Sequence, residues 1–572
     1  MRRNTVQLLC LAVILTLAVT RLFFGVEITD ESYYLSATYR YLQGSVPFYD
    51  AWDAHVGSSL FSLAPLALFR FITGGTQGMF LFSRLSFFCF MLLVGFVVYL
   101  STKAFLGRTV ACLAATVLVV FAPFSLYNWS YNNLSLALLC ASLFLLAYSL
   151  TAPTVKLERT SQVFAGILLA CMVLVYFTQA LACILIAILY VIVASLNKKS
   201  ITKGLQAIIF PVLGGLGVAI PVALVLLAVT QGGLFQYLPN IVSNPALAGE
   251  GGSLFQTALA AAKDTARFAY QYWLAFVIGA AGVLTTQILK KKHPYLTILT
   301  PLFLIVIIFW LPYPGTTMTV IEFAAFAGLF WFLWIPFIKG NSLRVRNLFW
   351  LLGLGGLIGF ICVSITSGGG AFQGKYMFFC MDLAVLIPLL EDINRLPHTS
   401  AQRILACVPV FLLSGTLLFL WFSSFYRDEP ISHLTTRVEQ GIFTGVYTTP
   451  QNASSVVRLE EQLATLQQAG QSVLFLGMAP PAYSMVEMRA ATPTVWIVGF
   501  NSPVYSEWFP LYYSQGEHFE PDQIYFIDEE SYQQFLDNPN LELSKIIKQD
   551  YRLKQEIIND DGAYPIRLFI RK

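Results

Sequence analysis

Carboxylates are concentrated in one short stretch near the start of the chain. Five of the twelve acidic residues that precede Tyr426 lie between positions 27 and 53, namely Glu27, Asp30, Glu31, Asp50 and Asp53. A positioned carboxylate can take the proton of an attacking hydroxyl group, and grouped carboxylates can bind a divalent cation. The alternatives are structural, because Asp is a favoured helix N-cap at position 30 and suits a solvated turn at positions 50 and 53.

Two helices are predicted around these acids. The segment from Asp30 to Gly44 has helical spacing, with Gly44 as a C-terminal stop. Its tyrosine-rich face suits the headgroup layer of a membrane, so this helix is expected to lie in the interface plane. The apolar segment Leu60–Ile72 contains Pro65 and is too short for a span of ~20 residues, which favours a second interfacial helix.

The composition places the chain in a lipid bilayer. Hydrophobic residues make up 57% of it and charged residues 12%, whereas soluble proteins are about one quarter charged. One apolar stretch, Val163–Leu196, would be about 50 Å long as a single helix, so it is divided at Thr178-Gln179. With that division about thirteen spans of ~20 residues are predicted from the stretches Leu8–Phe24, Phe80–Leu100, Val110–Leu126, Leu134–Leu150, Val163–Leu196, Leu205–Val229, Phe268–Leu289, Tyr295–Leu311, Val320–Ile338, Leu348–Thr366, Tyr376–Leu390 and Ile404–Phe425.

The basic residues orient these spans. With the amino terminus in the cytoplasm, every cytoplasmic connection is basic, including the run Lys290–Lys292, as the positive-inside rule requires. Leu8–Phe24 is then a signal anchor that is retained. The sizeable polar segments, 25–78, 231–267 and 426–572, all fall outside, so the chemistry is expected to be extracytoplasmic, on substrates that are lipid-carried or already exported.

The chain divides into a membrane body, 1–425, and a polar segment, 426–572. The second part carries 19 acidic and 11 basic residues and is predicted to form an extracytoplasmic α/β domain. Its predicted elements are a helix at Val456–Gln468 and buried strands at Ser472–Gly477, Thr494–Gly499 and Gln523–Asp528. It has no GxGxxG, so a nucleotide pocket is not indicated, and an accessory or acceptor-contacting module is expected.

Several features indicate no chemistry of their own. All nine cysteines lie in apolar stretches and are predicted to be buried hydrophobes. No basic tract suggests a nucleic-acid partner. The segment 249–253, Gly-Glu-Gly-Gly-Ser, is either a mobile lid over a site or a plain loop.

At the first polar loop the sequence resembles a known family. Asp30-Glu31 after the first span, a Tyr-rich helix ending at Gly44 and the segment 47–53, Pro-Phe-Tyr-Asp-Ala-Trp-Asp, resemble the GT-C class of integral membrane glycosyltransferases. The similarity is closest to the bacterial branch related to protein O-mannosyltransferases and to the aminoarabinose transferase that acts on lipid A. Thirteen spans, a long first loop and an outward C-terminal domain fit that branch.

The resemblance implies an activity and a set of site residues. It implies an inverting transfer of a sugar from a polyprenyl phosphate to a hydroxyl of a cell-envelope glycan, lipid or protein, with Asp30 as general base. Glu31, Asp50 and Asp53 would line the substrates. His55 stands near the place where relatives commonly carry a Lys. The second outside loop, 127–133, has no carboxylate where some members bind a metal, so no cofactor is certain and a divalent cation stays an open possibility.

Other charges near the outer face are candidates for substrate contacts. Lys375-Tyr376 matches a basic residue followed by Tyr in relatives and is the first candidate for the lipid phosphate, although a Lys at the interface can also snorkel to water. Arg267 and Lys263 come second, whereas Arg84 and Arg70 are expected to touch lipid headgroups. Two acids fall within predicted spans, where ionisable groups are usually functional. Glu322 is close to the outer end and would face the donor sugar. Asp382 lies about two turns below the outer surface and is either functional or paired with a neighbouring helix.

Three other functions compete with a glycosyltransferase. A flippase or transporter of lipid-linked saccharides is disfavoured because the charges cluster outside and no inverted repeat is evident. A polymerase or ligase of envelope polysaccharide usually has its large loop late in the membrane body, whereas here the informative loop is the first. The acid-rich first loop also argues against a membrane scaffold without chemistry.

Overall fold

The computed structural model describes residues 5–52, 56–230, 254–289, 319–366, 370–395, 400–423, 427–468, 470–497, 503–514, 520–558 and 564–572. Up to residue 423 the described chain is largely helical. Its helices are α1 Thr5–Arg21, α2 Asp30–Leu42, α3 Val56–Thr73, α4 Met79–Leu106, α5 Arg108–Val119, α6 Tyr131–Ser149, α7 Val155–Val175, α8 Ala180–Lys198, α9 Ile201–Ala207, α10 Ile209–Val229, α11 Leu254–Gln271, α12 Trp273–Leu289, α13 Val320–Leu329, α14 Trp331–Trp334, α15 Leu343–Thr366, α16 Gly370–Gly374, α17 Phe379–Asn394 and α18 Ser400–Ser423.

Six helical segments among the described residues are long and apolar enough to cross a membrane. They are Met79–Leu106, Tyr131–Ser149, Val155–Val175, Phe177–Lys198, Ile201–Val229 and Leu343–Thr366. Five shorter apolar helices accompany them, at Thr5–Arg21, Gly57–Thr73, Arg108–Val119, Val320–Trp334 and Cys407–Ser423. These helices make a multi-pass membrane protein, and the total of thirteen spans stays a prediction because the predicted span Tyr295–Leu311 lies outside the described residues.

The long apolar stretch Val163–Leu196 is divided as predicted. Helix α7 ends at Val175, a 3₁₀ turn covers Phe177–Gln179, and α8 begins at Ala180. By contrast, the predicted span Phe268–Leu289 is formed by two helices, since α11 ends at Gln271 and α12 begins at Trp273. The apolar run alone did not mark this second boundary.

Small residues let helices of the body pack with their backbones in contact. A Cβ atom added at Gly166 on α7 would lie 1.8 Å from the carbonyl oxygen of Pro211 on α10. One added at Gly214 on α10 would lie 2.1 Å from the carbonyl oxygen of Val163 on α7. In lipid the hydrophobic effect does not drive helices together. Helices associate there through close packing, which small residues allow.

The C-terminal region, residues 427–572, carries a mixed five-stranded sheet. Its helices are α19 Pro450–Leu466, α20 Ala482–Met485, α21 Pro503–Ser514, α22 Glu529–Asp537 and α23 Glu542–Asp550. Its strands are β1 Thr436–Arg437, β2 Tyr447–Thr448, β3 Ser472–Leu476, β4 Arg489–Ala490, β5 Gln523–Phe526, β6 Tyr551–Ile557 and β7 Ile566–Arg571. The sheet order is β4-β3-β5-β7-β6, with β3 parallel to β4 and β5, and β7 antiparallel to β5 and β6.

Two of the three predicted strands and the predicted helix of this region are present. Ser472–Leu476 pairs with Gln523–Phe526 at the centre of the sheet, and α19 contains the predicted helical segment up to Leu466. The prediction for Thr494–Gly499 was wrong over the described residues 494–497, which form no strand. The Thr494 hydroxyl accepts a hydrogen bond from the Trp496 amide at 2.9 Å, so a local side-chain bond takes the place of a ladder bond.

The first loop and the C-terminal region share one hydrophobic core. Val26, Tyr33 and Leu35 are buried together with Phe80 of α4 and with residues of the C-terminal region, including Phe443, Val456, Phe475 and Leu568. The predicted division after residue 425 falls at residues outside the described set. The two parts are therefore joined by packing as well as by the chain.

Helix α2 is buried inside this joint core. The Tyr39 hydroxyl donates to Glu487 at 3.0 Å, the Ser36 hydroxyl lies 2.7 Å from that of Ser484, and the Tyr33 ring is 5.5 Å from that of Trp496. The tyrosine-rich face predicted for the headgroup layer thus packs on protein. The predicted headgroup contact of this face was wrong, because aromatic side chains suit a protein interface as well as a membrane interface. That α2 lies in the interface plane stays a prediction.

Candidate functional site

The amino-terminal end of α2 is capped by Glu27. One carboxylate oxygen of Glu27 accepts the Thr29 amide at 2.9 Å and also the Thr29 hydroxyl, and the other accepts the Glu31 amide at 2.5 Å. The residue that precedes the helix is Thr29, and its own side chain makes no capping bond. Asp30 is the first residue of the helix, so the alternative that it serves as the N-cap is excluded.

Burial sets the protonation of Glu27. It raises the pKa of this carboxyl group to about 7, with the Thr29 hydrogen bond acting in the opposite direction and the nearby Asp30 charge adding to the rise. The sequence indicated Glu27 only as one acid in a group. Its capping role was not predictable, because the bonds depend on how the chain turns between α1 and α2.

The Asp30 carboxylate lines a cavity of about 350 Å³. Its Oδ2 is buried and accepts no hydrogen bond among the described residues, and it lies 3.8 Å from the guanidinium of Arg427. The rest of the cavity wall is aromatic, amide, hydroxyl and aliphatic in character, including Tyr34, Ser130, Tyr131, Asn132, Ile321, Phe372 and Gln373. Asp30 is thus the acid of this wall, and it is held close to a cation.

The amides of the wall are joined to each other. The Gln373 side-chain amide donates to the Tyr131 hydroxyl at 2.8 Å and to Asn132 Oδ1 at 3.4 Å. Asn133, one residue further along α6, donates to Asn128 and so fixes the turn before the helix. In the sequence this loop stands out only by its missing carboxylate, because no spacing pattern connects Asn132 with Gln373, 241 positions away.

Glu31 is taken up by an ion pair. Its two oxygens accept Nε and Nη2 of Arg84 on α4, both at 2.7 Å, and both side chains are buried. Arg84 also donates to the backbone carbonyls of Leu22, Phe24 and Gly25. Glu31 was predicted to line the substrates, and Arg84 was predicted to touch lipid headgroups. In the structure the two side chains instead hold the end of α1 against α2 and α4.

Arg70 also contacts protein. Its guanidinium lies 3.5 Å from Glu487 and 5.0 Å from the centre of the Tyr39 ring. The headgroup contact predicted for Arg70 is thus replaced by a contact between α3 and the C-terminal region.

Asp50 belongs to a separate cluster in the same loop. Its Oδ2 accepts the Val46 amide at 2.6 Å, and its Oδ1 lies 3.5 Å from Arg489. Trp52 next to it is fully buried against the rings of Trp508 and Tyr512. Asp50 therefore stabilises a turn against the C-terminal region, and the predicted site residues Asp53 and His55 lie outside the described residues.

Lys375 lies beside the cavity, between aromatic rings. Its ammonium is 4.6 Å from the centre of the Phe268 ring and 5.4 Å from that of Phe372, which lines the cavity. Burial lowers the pKa of Lys375, while the charges of Glu322 and Asp264 oppose that shift. The neighbouring Tyr376 is fully buried, with its hydroxyl 3.1 Å from that of Ser135.

The remaining sequence candidates differ in their surroundings. Glu322 forms a reciprocal capping box with Thr319 at the start of α13, so its carboxylate has a structural role. Arg267 and Lys263 on α11 are exposed. Asp382 on α17 is buried, and neither carboxylate oxygen makes a hydrogen bond within the described residues.

A second cavity, of about 320 Å³, lies between the first loop and the C-terminal region. Arg427 lines it, together with Ile28, Gln451, Asn452, Glu529 and Tyr564. Because the guanidinium of Arg427 also lies next to Asp30, the two cavities approach each other at this pair of residues. Arg427 was missed by sequence analysis, since a single base after a span has no distinguishing pattern.

The described residues do not form a metal site. No group of three or more His, Cys, Asp or Glu side chains lies together in the part of the chain that the structure describes. The carboxylates nearest Asp30 are committed elsewhere, Glu27 to backbone amides and Glu31 to Arg84. Hard divalent cations require several oxygen ligands. The described residues supply no such group, and the divalent cation stays a prediction.

Three solved structures match most of the length of this chain. A crystal structure of ArnT from Cupriavidus metallidurans in the apo state matches with a TM-score of 0.43 and 11% identity, covering 98% of this chain and 97% of that one. A second, bound to undecaprenyl phosphate, matches with a TM-score of 0.43 and 12% identity, covering 99% and 98%. The Archaeoglobus fulgidus oligosaccharyltransferase, in a complex with zinc and sulfate, matches with a TM-score of 0.40 and 11% identity, covering 97% of this chain and 72% of that one. No protein-family model matches the chain, and no curated protein matches it either.

Proposed function

We propose that this protein transfers a sugar from a polyprenyl-phosphate donor to a hydroxyl group of a cell-envelope acceptor, with Asp30 as the general base. The observation that carries the proposal is the placement of Asp30. Its carboxylate lines a cavity of about 350 Å³, while Glu27 supplies the capping bonds that Asp30 was suited to make. A carboxylate at the wall of a cavity that does not cap its own helix is a candidate for proton transfer.

The reaction is a single displacement at the anomeric carbon. The acceptor oxygen forms a bond to that carbon as the bond between the carbon and the phosphate oxygen breaks. Asp30 takes the acceptor proton, the configuration of the sugar inverts, and the polyprenyl phosphate leaves with its electron pair. A hydroxyl is a poor nucleophile near neutral pH, so removing its proton during the attack is what Asp30 contributes.

The cavity wall has the chemistry of a sugar site. Tyr34 and Tyr131 supply ring faces and hydroxyls, and Ser130, Asn132 and Gln373 supply donors and acceptors for sugar hydroxyls. The leaving phosphate needs a cation. Lys375, held between two aromatic rings at the side of this cavity, is assigned that role, and its neighbour Tyr376 is assigned to the same site.

The acceptor is assigned to the second cavity. That cavity combines amides, two carboxylates and an aromatic ring from the C-terminal region, and Arg427 connects it with Asp30. In this assignment residues 426–572 form an extracytoplasmic domain that presents the acceptor. Reporter fusions at Ser200 and Asn452 test the orientation, because they are expected to report opposite sides of the membrane.

The test of the activity uses purified protein in detergent, a radiolabelled polyprenyl-phosphate hexose and membranes from a deletion strain as the acceptor source. Wild-type protein is expected to move label onto the membranes. Asp30→Asn is expected to fold and to bind the donor, and to lose about two or more orders of magnitude in transfer, the usual contribution of general base catalysis. Donor binding without transfer by the wild type would instead indicate a carrier.

The matched control is Asp537→Asn, the same chemical change at an exposed position on α22, which is expected to transfer at the wild-type rate. Asp53→Asn is the companion variant in the first loop. An active Asp30→Asn beside an inactive Asp53→Asn would assign the base to the other carboxylate.

A further inference from the structure

Arg427 and Asp428 are the first described residues after α18. They connect the candidate base and the chain before it with the rest of the C-terminal region. Arg427 lies 3.8 Å from Asp30 and donates to the hydroxyl of Thr29. Asp428 accepts the Val26 amide at 2.9 Å through one oxygen and the Asn452 side-chain amide at 3.0 Å through the other. Two successive residues therefore hold the segment that leads into α2.

The backbone of the C-terminal region also pairs with the end of the first helix. The Gly25 amide donates to the Tyr447 carbonyl at 2.8 Å, and the Tyr447 amide donates to the Phe23 carbonyl at 2.7 Å. The Phe24 and Tyr447 rings are stacked, with their centres 5.3 Å apart. Asp428 joins this pairing, because its Oδ2 also accepts the Thr448 hydroxyl at 2.8 Å.

The backbone of Arg427 is held in an uncommon conformation. Its φ angle is +56°, in the left-handed region that residues with a Cβ atom adopt rarely. Such a conformation persists where surrounding contacts determine it. Here those contacts are the ones that Arg427 and Asp428 make to Thr29, Asp30 and Val26.

From these contacts we infer that the C-terminal region positions the catalytic base, and that Arg427 is the positioning residue that directs the Asp30 carboxylate. The inference rests on the proposed role of Asp30 and adds a second requirement to it. Glu27 fixes the backbone of the first turn of α2, and Arg427 fixes the side chain that leaves that turn. The C-terminal region is then a part of the active centre and more than an accessory module.

Positioning and folding are separable by experiment. Arg427→Met removes the guanidinium and keeps an unbranched side chain of similar length. Misplacing a reacting group by about 1 Å can cost up to about 100-fold in rate, so kcat for transfer is expected to fall by about 10- to 100-fold. The KM for the polyprenyl-phosphate hexose and the thermal stability are expected to stay at wild-type values, and Arg427→Lys is expected to recover part of kcat.

The double variant decides whether Arg427 acts through Asp30. If it does, Arg427→Met in the Asp30→Asn background costs no further activity, whereas independent roles give losses that multiply. The control Arg437→Met changes an exposed arginine of β1 in the same region and is expected to leave kcat unchanged. If Arg427→Met lowers stability, the inference is tested by Arg427→Lys alone, which then has to show a changed kcat with unchanged stability.

The two proposals fail differently. Wild-type kcat in Arg427→Met beside an inactive Asp30→Asn overturns the positioning role and leaves the base in place, and so do losses that multiply. An Asp30→Asn variant that transfers normally overturns the proposed function itself, whatever the arginine variants do.

Discussion

The first loop contains two groups of acids that resemble each other in sequence and differ in what the fold does with them. In the group at positions 27–31, Glu27 caps α2 and Glu31 pairs with Arg84, which leaves the carboxylate of Asp30 at a cavity wall. In the described part of the second group, Asp50 accepts the Val46 amide and lies near Arg489. Both groups contact the C-terminal region, and the first brings the Asp30 carboxylate to a cavity wall.

The difference shows what makes an acid available for chemistry. Backbone amides at a helix start need hydrogen-bond acceptors, and a buried cation needs a charged partner. Glu27 and Glu31 fill these two roles beside Asp30. In the described part of the second group no neighbouring acid takes over, and Asp50 itself accepts the amide of its turn. The residue type is the same, and the neighbours decide its role.

The largest effect on stability is expected from Glu31→Gln. This change leaves the buried Arg84 without its charged partner, and breaking a buried pair costs about 3–5 kcal/mol. Thermal unfolding in detergent measures it. The double variant Glu31→Leu/Arg84→Met removes both charges and is expected to unfold closer to wild type; equal stability of Glu31→Gln and wild type would contradict the bracing role.

Glu27 gives the stability a pH dependence. In the unfolded chain its proton is lost around the ordinary value of 4.5, whereas burial keeps it in the folded protein up to a pKa of about 7. The folded protein binds more protons between these values, so stability falls as the pH rises through this window and levels off above it. Unfolding temperatures measured from pH 4.5 to 8 are expected to show this decline in the wild type and a weaker one in Glu27→Gln, and identical profiles would contradict it.

Part of this arrangement was predictable from sequence. The helix from Asp30 towards Gly44, the break near Thr178-Gln179 and the central strands of the C-terminal sheet follow local patterns of spacing, turn residues and apolar runs. Gly44 takes a φ of +96°, a backbone conformation that favours glycine, as the predicted helix stop requires. Local signals of this kind are contained in adjacent residues.

The roles of individual charges were not predictable. Glu31 meets Arg84 from α4, Asp30 meets Arg427 from beyond the last helix, and Tyr39 meets Glu487. These contacts join residues from 53 to 448 positions apart, and no spacing rule identifies them. The same limit explains why α2 was assigned to the membrane interface, since its tyrosines are compatible with lipid and with protein.

A smaller effect is expected in the second group. Asp50→Asn keeps an oxygen for the Val46 amide and loses only the charge that faces the mostly exposed Arg489, which costs about 1 kcal/mol or less. Asp50→Ala also loses the acceptor and is expected to cost about 1–3 kcal/mol. Both variants are expected to transfer sugar at the wild-type rate per folded molecule. A loss of 100-fold or more in Asp50→Asn, as expected of Asp30→Asn, would remove the distinction between the two groups.

The comparison extends to the cations, where the expected effect is on the transfer rate and not on stability. Both oxygens of Glu31 and three backbone carbonyls bind Arg84. Lys375 lies against the faces of Phe268 and Phe372, and the charges of Glu322 and Asp264 act on it as well. Aromatic faces attract a cation without neutralising its charge, so Lys375 remains able to attract a phosphate. A half-buried site weakens such an attraction relative to a dry one. Lys375→Met is therefore expected to lower transfer about tenfold, which corresponds to about 1.4 kcal/mol, with unchanged thermal stability.

Lys263→Met, at an exposed position of α11, is the matched control. If Lys375→Met transfers at the wild-type rate and Lys263→Met or Arg267→Met does not, the leaving phosphate is held by α11, and the cation next to the cavity has only a packing role.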